Sequence, residues 1–320
     1  MLDREKAIER MNELGARRIP FFFFTDFMGS RCLIQPLGEI NPSELRFALN
    51  QSGPKNQTAP SFHFKKHPLT EEQFHGPFRY VVDQINYGNS YLVNLTFRTP
   101  IETNLSLADI YELSQARYKL LYKDQFVVFS PETFVKMVDG HIYSYPMKGT
   151  IDASVADAET QILNDPKETA EHVTIVDLIR NDLSQIASEV SVSRFRFITE
   201  VKTHEKKLLQ VSSEITGKLP ANYHQSLGSM LFRLLPAGSI SGAPKKETIH
   251  IIKTAETYNR GFYTGVCGLF DGQDLDTGVM IRFIEKEGDQ LYYKSGGGIT
   301  SFSDEAREYQ EIIDKIYLPF

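Results

Sequence analysis

The sequence predicts an α+β protein with antiparallel β-sheets. Short strand-like segments follow one another in hairpin-like groups and do not alternate strictly with helices, which argues against a doubly wound parallel sheet. Asp139-Gly140, a typical two-residue hairpin turn, separates two of these segments. The chain has 320 residues, of which 41% are apolar and 24% charged, so it is long and apolar enough to bury a sizeable core.

The first 69 residues predict a helix, a strand and a loop. Apolar residues recur at helical spacing over residues 3–14, which indicates an amphipathic helix. Residues 21–27 are short, aromatic and bounded by Pro20 and Gly29, as in a buried strand. Residues 50–69 are rich in Pro, Ser, Asn and Gln and predict a linker or long loop.

The rest of the chain predicts groups of strands separated by helices. Helices are expected over residues 70–87, 156–186, 244–258 and 303–316. Strands are expected over residues 90–96, 125–129, 134–138, 141–145, 207–217, 261–270, 278–285 and 290–294.

Charge and cysteine content exclude several functional classes. The chain has 35 basic and 41 acidic residues, a net charge of −6, which argues against a dedicated nucleic-acid binder. Cys32 and Cys267 lie far apart in apolar segments, so we expect buried, reduced thiols. The N-terminus has no apolar signal core, and the longest apolar run, residues 19–24, is too short to span a bilayer. We therefore expect a cytoplasmic protein without membrane contact.

Two predicted helices each carry a pair of glutamates three residues apart. Glu168 and Glu171 share a face of one helix, and Glu308 and Glu311 share a face of the last helix. Four such carboxylates suit a hard cation such as Mg²⁺. Taken singly, each pair is better explained as a solvated helix face.

A second metal hypothesis is weaker. Glu72-x-x-His75 and Glu247-x-x-His250 have the spacing of di-iron proteins. However, Gly76-Pro77 is expected to end the first of these helices, and no companion pair of inward glutamates is evident.

Three further segments favour anion binding or nucleophilic chemistry. Gly296, Gly297 and Gly298 follow a predicted strand, and their backbone N–H groups could approach an anion closely, although a flexible connector fits equally well. Residues 238–245 place hydroxyls before a helix N-terminus but do not form a Walker A loop. Lys148 ends a predicted strand among apolar neighbours, where desolvation would make its amine a nucleophile. Taken alone, however, it is better explained as an ordinary surface lysine.

Taken together, an ordered set of motifs carries a family resemblance. The motifs are Ser130-Pro131-Glu132, PMKGT over 146–150, AEHVTIVDLIRNDL over 170–183, PAGSISGAPK over 236–245, Ile281-Arg282, Gly296-Gly297-Gly298-Ile299 and Glu308-Tyr309-Gln310-Glu311. With them the chain resembles the chorismate-utilising enzymes, the family of anthranilate synthase component I and aminodeoxychorismate synthase component I. The match is close over residues 130–316 and looser before them.

The resemblance implies a fold and a set of site residues. It implies two antiparallel sheets that form a sandwich-like core flanked by helices, in one domain over residues 1–320, with a variable part over 1–65 and a catalytic core over 66–320. The implied Mg²⁺ ligands are Glu171 and Glu311, with Glu168 and Glu308 behind them. The implied contacts to chorismate, a dianion that needs cations and oriented N–H groups, are Thr150, Ser239, Arg282, Gly296, Gly297, Gly298 and Lys315.

Lys148 favours the aminodeoxychorismate branch, in which this position is typically lysine, over the anthranilate branch, in which it is typically alanine. The resemblance implies that Lys148 adds to ring carbon 2 as the 4-hydroxyl leaves, with Glu132 as general acid, and that ammonia from a separate glutamine amidotransferase subunit then displaces the lysine. The product, 4-amino-4-deoxychorismate, leads to p-aminobenzoate and folate. Gln210 stands where relatives commonly have histidine, which puts chemistry relying on that group in doubt.

Two alternatives stay open at this point. One is an anthranilate synthase component I without tryptophan feedback, because the feedback motif is absent from the N-terminal region. The other is a non-catalytic chorismate-binding protein, against which the presence of Glu132, Lys148 and the four helix glutamates argues.

Overall fold

The computed structural model describes residues 1–50, 61–202 and 207–320. In these ranges the chain forms eight α-helices: α1 (Arg4–Ala16), α2 (Glu71–Asn86), α3 (Leu107–Leu113), α4 (Ala158–Asn164), α5 (Pro166–Leu183), α6 (Leu227–Leu234), α7 (Lys245–Ala255) and α8 (Glu305–Asp314). The same ranges hold seventeen β-strands: β1 (Phe21–Thr25), β2 (Cys32–Pro36), β3 (Leu45–Leu49), β4 (Phe64–Lys66), β5 (Leu92–Thr103), β6 (Tyr118–Tyr122), β7 (Phe126–Ser130), β8 (Thr133–Val138), β9 (His141–Ser144), β10 (Met147–Asp152), β11 (Ser188–Lys202), β12 (Lys207–Lys218), β13 (Gly242–Ala243), β14 (Val266–Phe270), β15 (Leu275–Val279), β16 (Phe283–Glu287) and β17 (Gln290–Ile299).

The strands form two sheets in which every described pairing is antiparallel. Sheet A has the order β10-β12-β9-β8-β15-β14-β1-β2, with β11 on the other side of β12. Sheet B has the order β13-β5-β17-β16-β7-β6-β3, with β4 beside β5. The predicted fold class, α+β with two antiparallel sheets and flanking helices, is confirmed.

The phenylalanine strand β1 shows how the layers pack. Successive side chains of a strand point to opposite faces. Phe21 and Phe23 belong to a cluster with helices α1 and α6, whereas Phe22 and Phe24 belong to a cluster with strands of sheet B. The ring of Phe24 lies 5.6 Å from that of Phe126 on β7, in an edge-on arrangement. The two sheets therefore pack face to face through aromatic side chains.

The chain passes from one sheet to the other at two places that matter for the site. Residues 131–132 connect β7 of sheet B to β8 of sheet A, and residues 280–282 connect β15 of sheet A to β16 of sheet B. The two crossovers are bonded to neighbouring strands: Val279 N donates to Glu132 O at 3.0 Å, and Phe129 N donates to Arg282 O at 3.1 Å. Their positions consequently depend on both sheets.

Most predicted helices are present, with changes at their ends. The helix predicted over 70–87 is α2, but Gly76-Pro77 does not end it, so that expectation was wrong. Its buried face of Phe74, Phe78, Val81 and Ile85 outweighs the one backbone hydrogen bond that Pro77 removes. The helix predicted over 156–186 is divided into α4 and α5, because Asp165 caps a new helix that begins with Pro166.

The strand predictions were less complete. The hairpin at Asp139-Gly140 is confirmed, and both residues have positive φ, 48° and 75°. The strand predicted over 278–285 was wrong, because Gly278 and Val279 belong to β15 and Arg282, at φ 53°, separates it from β16. Residues 296–298 are not a connector but the end of β17, paired with β5.

Some elements were not predicted from the sequence. Strands β2, β3, β6 and β11 and helix α6 are the main ones. Of the loop predicted over 50–69, residues 51–60 lie outside the described part, and residues 64–66 form β4. Cys32 and Cys267 are buried free thiols. Across the described ranges, no helix combines the length and the apolar character required to cross a membrane.

Candidate functional site

A cleft of about 290 Å³ lies where β10, β17, α5 and the two crossovers meet. It gathers residues from distant motifs of the sequence. The predicted site residues that line it are Glu132, Lys148, Ser239, Arg282, Gly296, Gly297, Gly298, Glu311 and Lys315. The remaining three glutamates lie next to residues of this lining. Glu171 lies beside Lys148, Glu168 beside Gly149 and Glu308 beside Gly297.

Lys148 extends from β10 into the cleft. Its Nζ lies 3.6 Å from Glu171 Oε2 on α5, and its side chain is only 23% exposed. A Cβ added at Gly298 would stand 3.0 Å from the same Nζ, so the amine lies against the backbone of β17. The lysine therefore faces the helix glutamates and does not point into bulk solvent.

Glu132 lies at the first crossover, and its carboxyl accepts a short hydrogen bond. Ser239 Oγ donates to Glu132 Oε1 at 2.6 Å. Burial raises the pKa of the Glu132 carboxyl, although the Ser239 hydrogen bond and the positive charges of Lys148 and Arg282 oppose this shift. A carboxyl with a raised pKa keeps its proton to higher pH, as a general acid requires.

The glycines of β17 allow the glutamates of α8 to come close to the strand. A Cβ at Gly297 would lie 3.4 Å from Glu308 Oε2 and 3.7 Å from Glu311 Oε1. Gly149, at φ 83°, has a similar place on β10, where a Cβ would lie 3.1 Å from Glu168 Oε2. Glutamates of α5 thus lie against a glycine of β10 in sheet A, and glutamates of α8 lie against a glycine of β17 in sheet B.

Two of these four carboxylates are buried, unlike those of an ordinary solvated helix face, whereas Glu311 is exposed. Glu171 and Glu308 are 8% and 3% exposed, and Ser303 Oγ donates to Glu308 Oε1 at 2.7 Å. Within the described ranges, however, no three or more His, Cys, Asp and Glu side chains are close enough together to hold a metal ion. Mg²⁺ commonly binds one or two carboxylates and takes its other ligands from water and substrate. The donors present fit that ion when a substrate completes the site.

Lys315 and Arg282 are the other cations of the cleft. Lys315 Nζ donates to Gly296 O at 2.8 Å and pairs with Glu311 Oε1 at 2.6 Å. Burial lowers the pKa of Lys315. Arg282 lies at the second crossover with its Nε 3.3 Å from Tyr317 Oη.

Thr150 and Gln210 face each other across paired strands. Thr150 lies in β10 opposite Gln210 of β12, and the side chain of Thr150 lies outside the described part. Gln210 lines the cleft. A neutral amide therefore occupies the place where relatives commonly have histidine, and an amide does not act as an acid or a base near neutral pH.

The sequence reasoning missed several groups at the cleft. Asp182 lines it and binds Lys245, whose Nζ lies 2.8 Å from Asp182 Oδ2. Tyr263 and Asn94 also line it. The signal for Asp182 was present, because residues 171, 175, 179 and 182 recur at helical spacing along α5 and so share one face.

His172, next to Glu171, is fully buried behind the cleft. Its Nε2 lies 2.7 Å from Ser213 Oγ of β12. Burial lowers the pKa of His172 to about 4. The contact ties the middle of α5 to sheet A and so fixes where Glu171 stands. By contrast, His75 of the di-iron hypothesis is exposed and contacts only Glu305 among its described partners.

Comparisons with known proteins show what this chain is similar to. Residues 35–319 match the family model for chorismate binding enzymes. The chain is 48% identical over 316 residues to an uncharacterized PabA-like protein of Haemophilus influenzae, covering 98% of this chain and 96% of the relative. It is 33% identical over 264 residues to aminodeoxychorismate synthase component 1 of Klebsiella aerogenes, covering 78% of this chain and 57% of that relative. The crystal structure of anthranilate synthase component I from Streptococcus pneumoniae TIGR4 superposes with a TM-score of 0.67 at 28% identity, covering 82% of this chain and 60% of that one.

Proposed function

This chain belongs to the family of chorismate binding enzymes, and we propose that it acts as aminodeoxychorismate synthase component I, which converts chorismate and ammonia to 4-amino-4-deoxychorismate. The family resemblance found in the motifs is confirmed. The finer assignment rests on one observation, the Lys148 amine inside the cleft beside Glu171 and Gly298. The similarity to aminodeoxychorismate synthase component 1 of Klebsiella aerogenes supports it.

Lys148 is the proposed nucleophile. The electron pair of its amine nitrogen forms a bond to ring carbon 2 of chorismate, the ring double bonds shift, and the hydroxyl on carbon 4 leaves as water. Ammonia then adds at carbon 4, the double bonds shift back, and the lysine leaves carbon 2 with its electron pair restored. The net reaction consumes chorismate and ammonia and releases water and 4-amino-4-deoxychorismate, with the enolpyruvyl group retained.

Glu132 is the proposed proton carrier. Its carboxyl protonates the departing 4-hydroxyl and afterwards, as a carboxylate, accepts a proton from the attacking ammonia. Its raised pKa supports the first role. Ser239, which donates to Glu132 Oε1, would also lie within reach of the bound substrate.

The two carboxylates of chorismate require cationic partners. We assign the enolpyruvyl carboxylate to Arg282. The ring carboxylate would lie against the backbone of Gly296, Gly297 and Gly298, next to Lys315. Thr150 is proposed as a further hydrogen-bond donor. Charge-assisted bonds of this kind are shorter and stronger than neutral ones, which supports the placement of a dianion in a protein of net charge −6.

Mg²⁺ is the proposed cofactor. Glu171 and Glu311 would hold it, with Glu168 and Glu308 behind them. When bound, the ion would supply positive charge to the ring carboxylate. Glycine at 149 and 297 leaves room for the glutamates beside the strands, which supports this assignment.

Ammonia is proposed to come from a separate glutamine amidotransferase subunit. The designation "component 1" of the relative from Klebsiella aerogenes supports a second component. Formation of the product would place this chain on the route to p-aminobenzoate and folate.

Product identification tests the proposed function. Purified protein with chorismate, MgCl₂ and ammonium chloride is expected to yield 4-amino-4-deoxychorismate, detected by mass spectrometry. Release of pyruvate with anthranilate would favour an anthranilate synthase instead. No consumption of chorismate would favour a protein that only binds it.

Replacing the amine tests the covalent role. We expect Lys148→Ala to lower kcat for chorismate consumption with ammonium by at least about a hundredfold, since the nucleophile is lost. Lys253→Ala, at an exposed position of α7, is the control and should keep the original rate. Trapping of a covalent adduct by mass spectrometry in the unmodified protein, absent from the variant, would support the mechanism. A fully active Lys148→Ala variant would refute it.

A further inference from the structure

The turn that carries Ser239 is fitted tightly against α5. Gly238 begins this turn, and a Cβ there would lie 3.0 Å from Leu178 Cδ2 and 3.1 Å from Asp182 Oδ2. A turn that approaches the helix so closely has little freedom to shift. The position of Ser239 Oγ is therefore set by whatever holds the turn to α5.

Lys245 provides that attachment. Its Nζ donates to Asp182 Oδ2 at 2.8 Å and to Leu234 O at 3.0 Å. Leu234 ends α6 before the turn and Lys245 begins α7 after it. One ammonium group thus joins both ends of residues 235–244 to each other and fixes them to α5. The two side chains are 21% and 9% exposed, for Lys245 and Asp182 respectively, so water competes little with the contact.

The other side of the turn is held separately. Arg260 Nη1 donates to Ile240 O at 2.8 Å, and Arg260 pairs with Glu256 where both side chains are 2% exposed. With Arg260 in place, loss of the Lys245 contact would let the turn move away from α5 without releasing it entirely. Ser239, between the two attachments, would move with it.

We propose that Lys245 and Asp182 are positioning residues that hold Ser239 Oγ against Glu132 and thereby orient the carboxyl for proton transfer. With Oε1 occupied by Ser239, Oε2 is the oxygen that carries the transferable proton. This inference rests on the proposed function for the acid role of Glu132. It assigns no contact with substrate to Lys245 or Asp182.

The pH dependence offers a readout beyond stability. The groups that face Glu132 are Ser239 from the turn, Lys148 from β10, Arg282 from the crossover, Lys315 after α8 and Tyr263. The Ser239 hydrogen bond lowers the pKa of Glu132 against the effect of burial. If Ser239 is displaced, that pKa rises, and the alkaline limb that Glu132 imposes on the rate moves to higher pH.

A double-mutant cycle tests the proposal. The pair variant Asp182→Asn/Lys245→Met removes both charges, so that no buried carboxylate is left unpaired. We expect it to lower kcat at least about tenfold, to change KM for chorismate by less than about threefold, and to move the alkaline limb upward as Ser239→Ala does. In a Ser239→Ala background the pair variant should cost less than about a further twofold, because residues that act through one group are not additive.

Controls separate positioning from folding. Lys245→Arg keeps the positive charge and should retain most of the rate of the unmodified protein. Lys286→Met breaks an exposed ion pair with Asp124 and should leave the rate unchanged. Losses that multiply in the combined variant, or a pair variant as active as the unmodified protein, would overturn the proposal.

The same experiment distinguishes failure of this inference from failure of the proposed function. The rates in the cycle are rates of chorismate consumption, and the product is identified in a separate measurement. The double-mutant cycle can therefore be evaluated even if the product is not 4-amino-4-deoxychorismate. If chorismate is not consumed, the cycle is read from the side-chain carboxyl ¹³C resonance that disappears in Glu132→Gln. The pKa of the Glu132 carboxyl, followed by this resonance, should rise equally in Ser239→Ala and in the pair variant. Unequal rises would refute the proposal that Lys245 and Asp182 act through Ser239.

Discussion

Lys148 and Glu132 line the same cleft, but their electrostatic surroundings differ. Lys148 has the carboxylate of Glu171 at 3.6 Å. Glu132 has three cations near it, and burial nevertheless raises its pKa. Desolvation disfavours the ionised form of a carboxyl, and at Glu132 this effect outweighs the nearby cations. The lysine therefore has a carboxylate partner in the cleft, whereas burial favours the protonated form of the glutamate.

The raised pKa of Glu132 has a consequence for stability. Because the folded state binds this proton more tightly than the unfolded chain, stability is full below the unfolded value of 4.5 and declines as the pH rises through the folded value. Glu132→Gln removes the decline. We expect this variant to melt at a higher temperature than the unmodified protein at pH 8 and at nearly the same temperature near pH 4.

The matched control for this measurement is Glu247→Gln, at an exposed position of α7. It should leave the melting temperature unchanged at both pH values. A Glu132→Gln variant that melts lower than the unmodified protein at pH 8 would contradict the assigned direction of the pKa shift.

At this scale the motifs predicted which residues meet but not how they are held. Lys148, Glu132 and the four glutamates were found in the sequence because their order along the chain matches a family. Asp182 shares a helix face with Glu171, but its pairing with Lys245 could not be predicted, because an ion pair between positions 63 residues apart leaves no local pattern. Burial, which decides the pKa of Glu132, is likewise a property of the folded chain.

Strand β17 contributes to the site because three of its residues, the glycines at 296–298, have no side chain. Its glycines pair with β5 in regular register, opposite Thr96, Leu95 and Asn94. Glycine normally weakens a strand, and it is found where another group approaches closely. Here the groups that approach are the Lys148 amine and the glutamates of α8.

A side chain at position 298 should displace the amine of Lys148, the proposed nucleophile. We expect Gly298→Ala to fold, because the Cβ would meet only the flexible end of Lys148, at 3.0 Å, and a side-chain methyl of Leu92, at 3.1 Å. The rate of chorismate consumption should fall by roughly a hundredfold, the cost of about 1 Å of misplacement. Gly38→Ala, which meets nothing within 4 Å, is the control. Unchanged kcat in Gly298→Ala would show that the amine works from elsewhere.

The sequence was less informative about elements than about motifs. Residues 296–298 resembled a connector because three glycines carry no strand propensity, and only the pairing with β5 makes them a strand. Strand β11 was missed because its residues are mostly exposed and interrupted by register shifts, which hides any alternation. Pro77 was taken as a helix end, although the buried face of α2 continues through it.

Over the whole molecule, aromatic packing joins the two sheets. Phe126 of sheet B stacks on Phe262 at 5.3 Å and on Phe283 at 5.0 Å, and it meets Phe24 of sheet A edge-on. We expect Phe126→Ala to lower the free energy of unfolding by about 3–5 kcal/mol, measured by urea titration. Phe302→Ala, at a side chain that is 70% exposed, should change it by less than about 0.5 kcal/mol. Equal effects of the two substitutions would argue against this interface.

The fold class was predictable because hairpin turns and clustered strands are local features, as Asp139-Gly140 illustrates. The order of strands was not predictable from them. Neighbours such as β1 and β14 are separated by about two hundred and forty residues, and nothing within either strand specifies the other.

The crossovers at residues 131–132 and 280–282 should make the reaction rate sensitive to the packing of both sheets. Glu132 and Arg282 each lie where the chain passes from one sheet to the other. Loosening either sheet in mild denaturant should therefore lower the rate of chorismate consumption before the spectroscopic signals of global unfolding change.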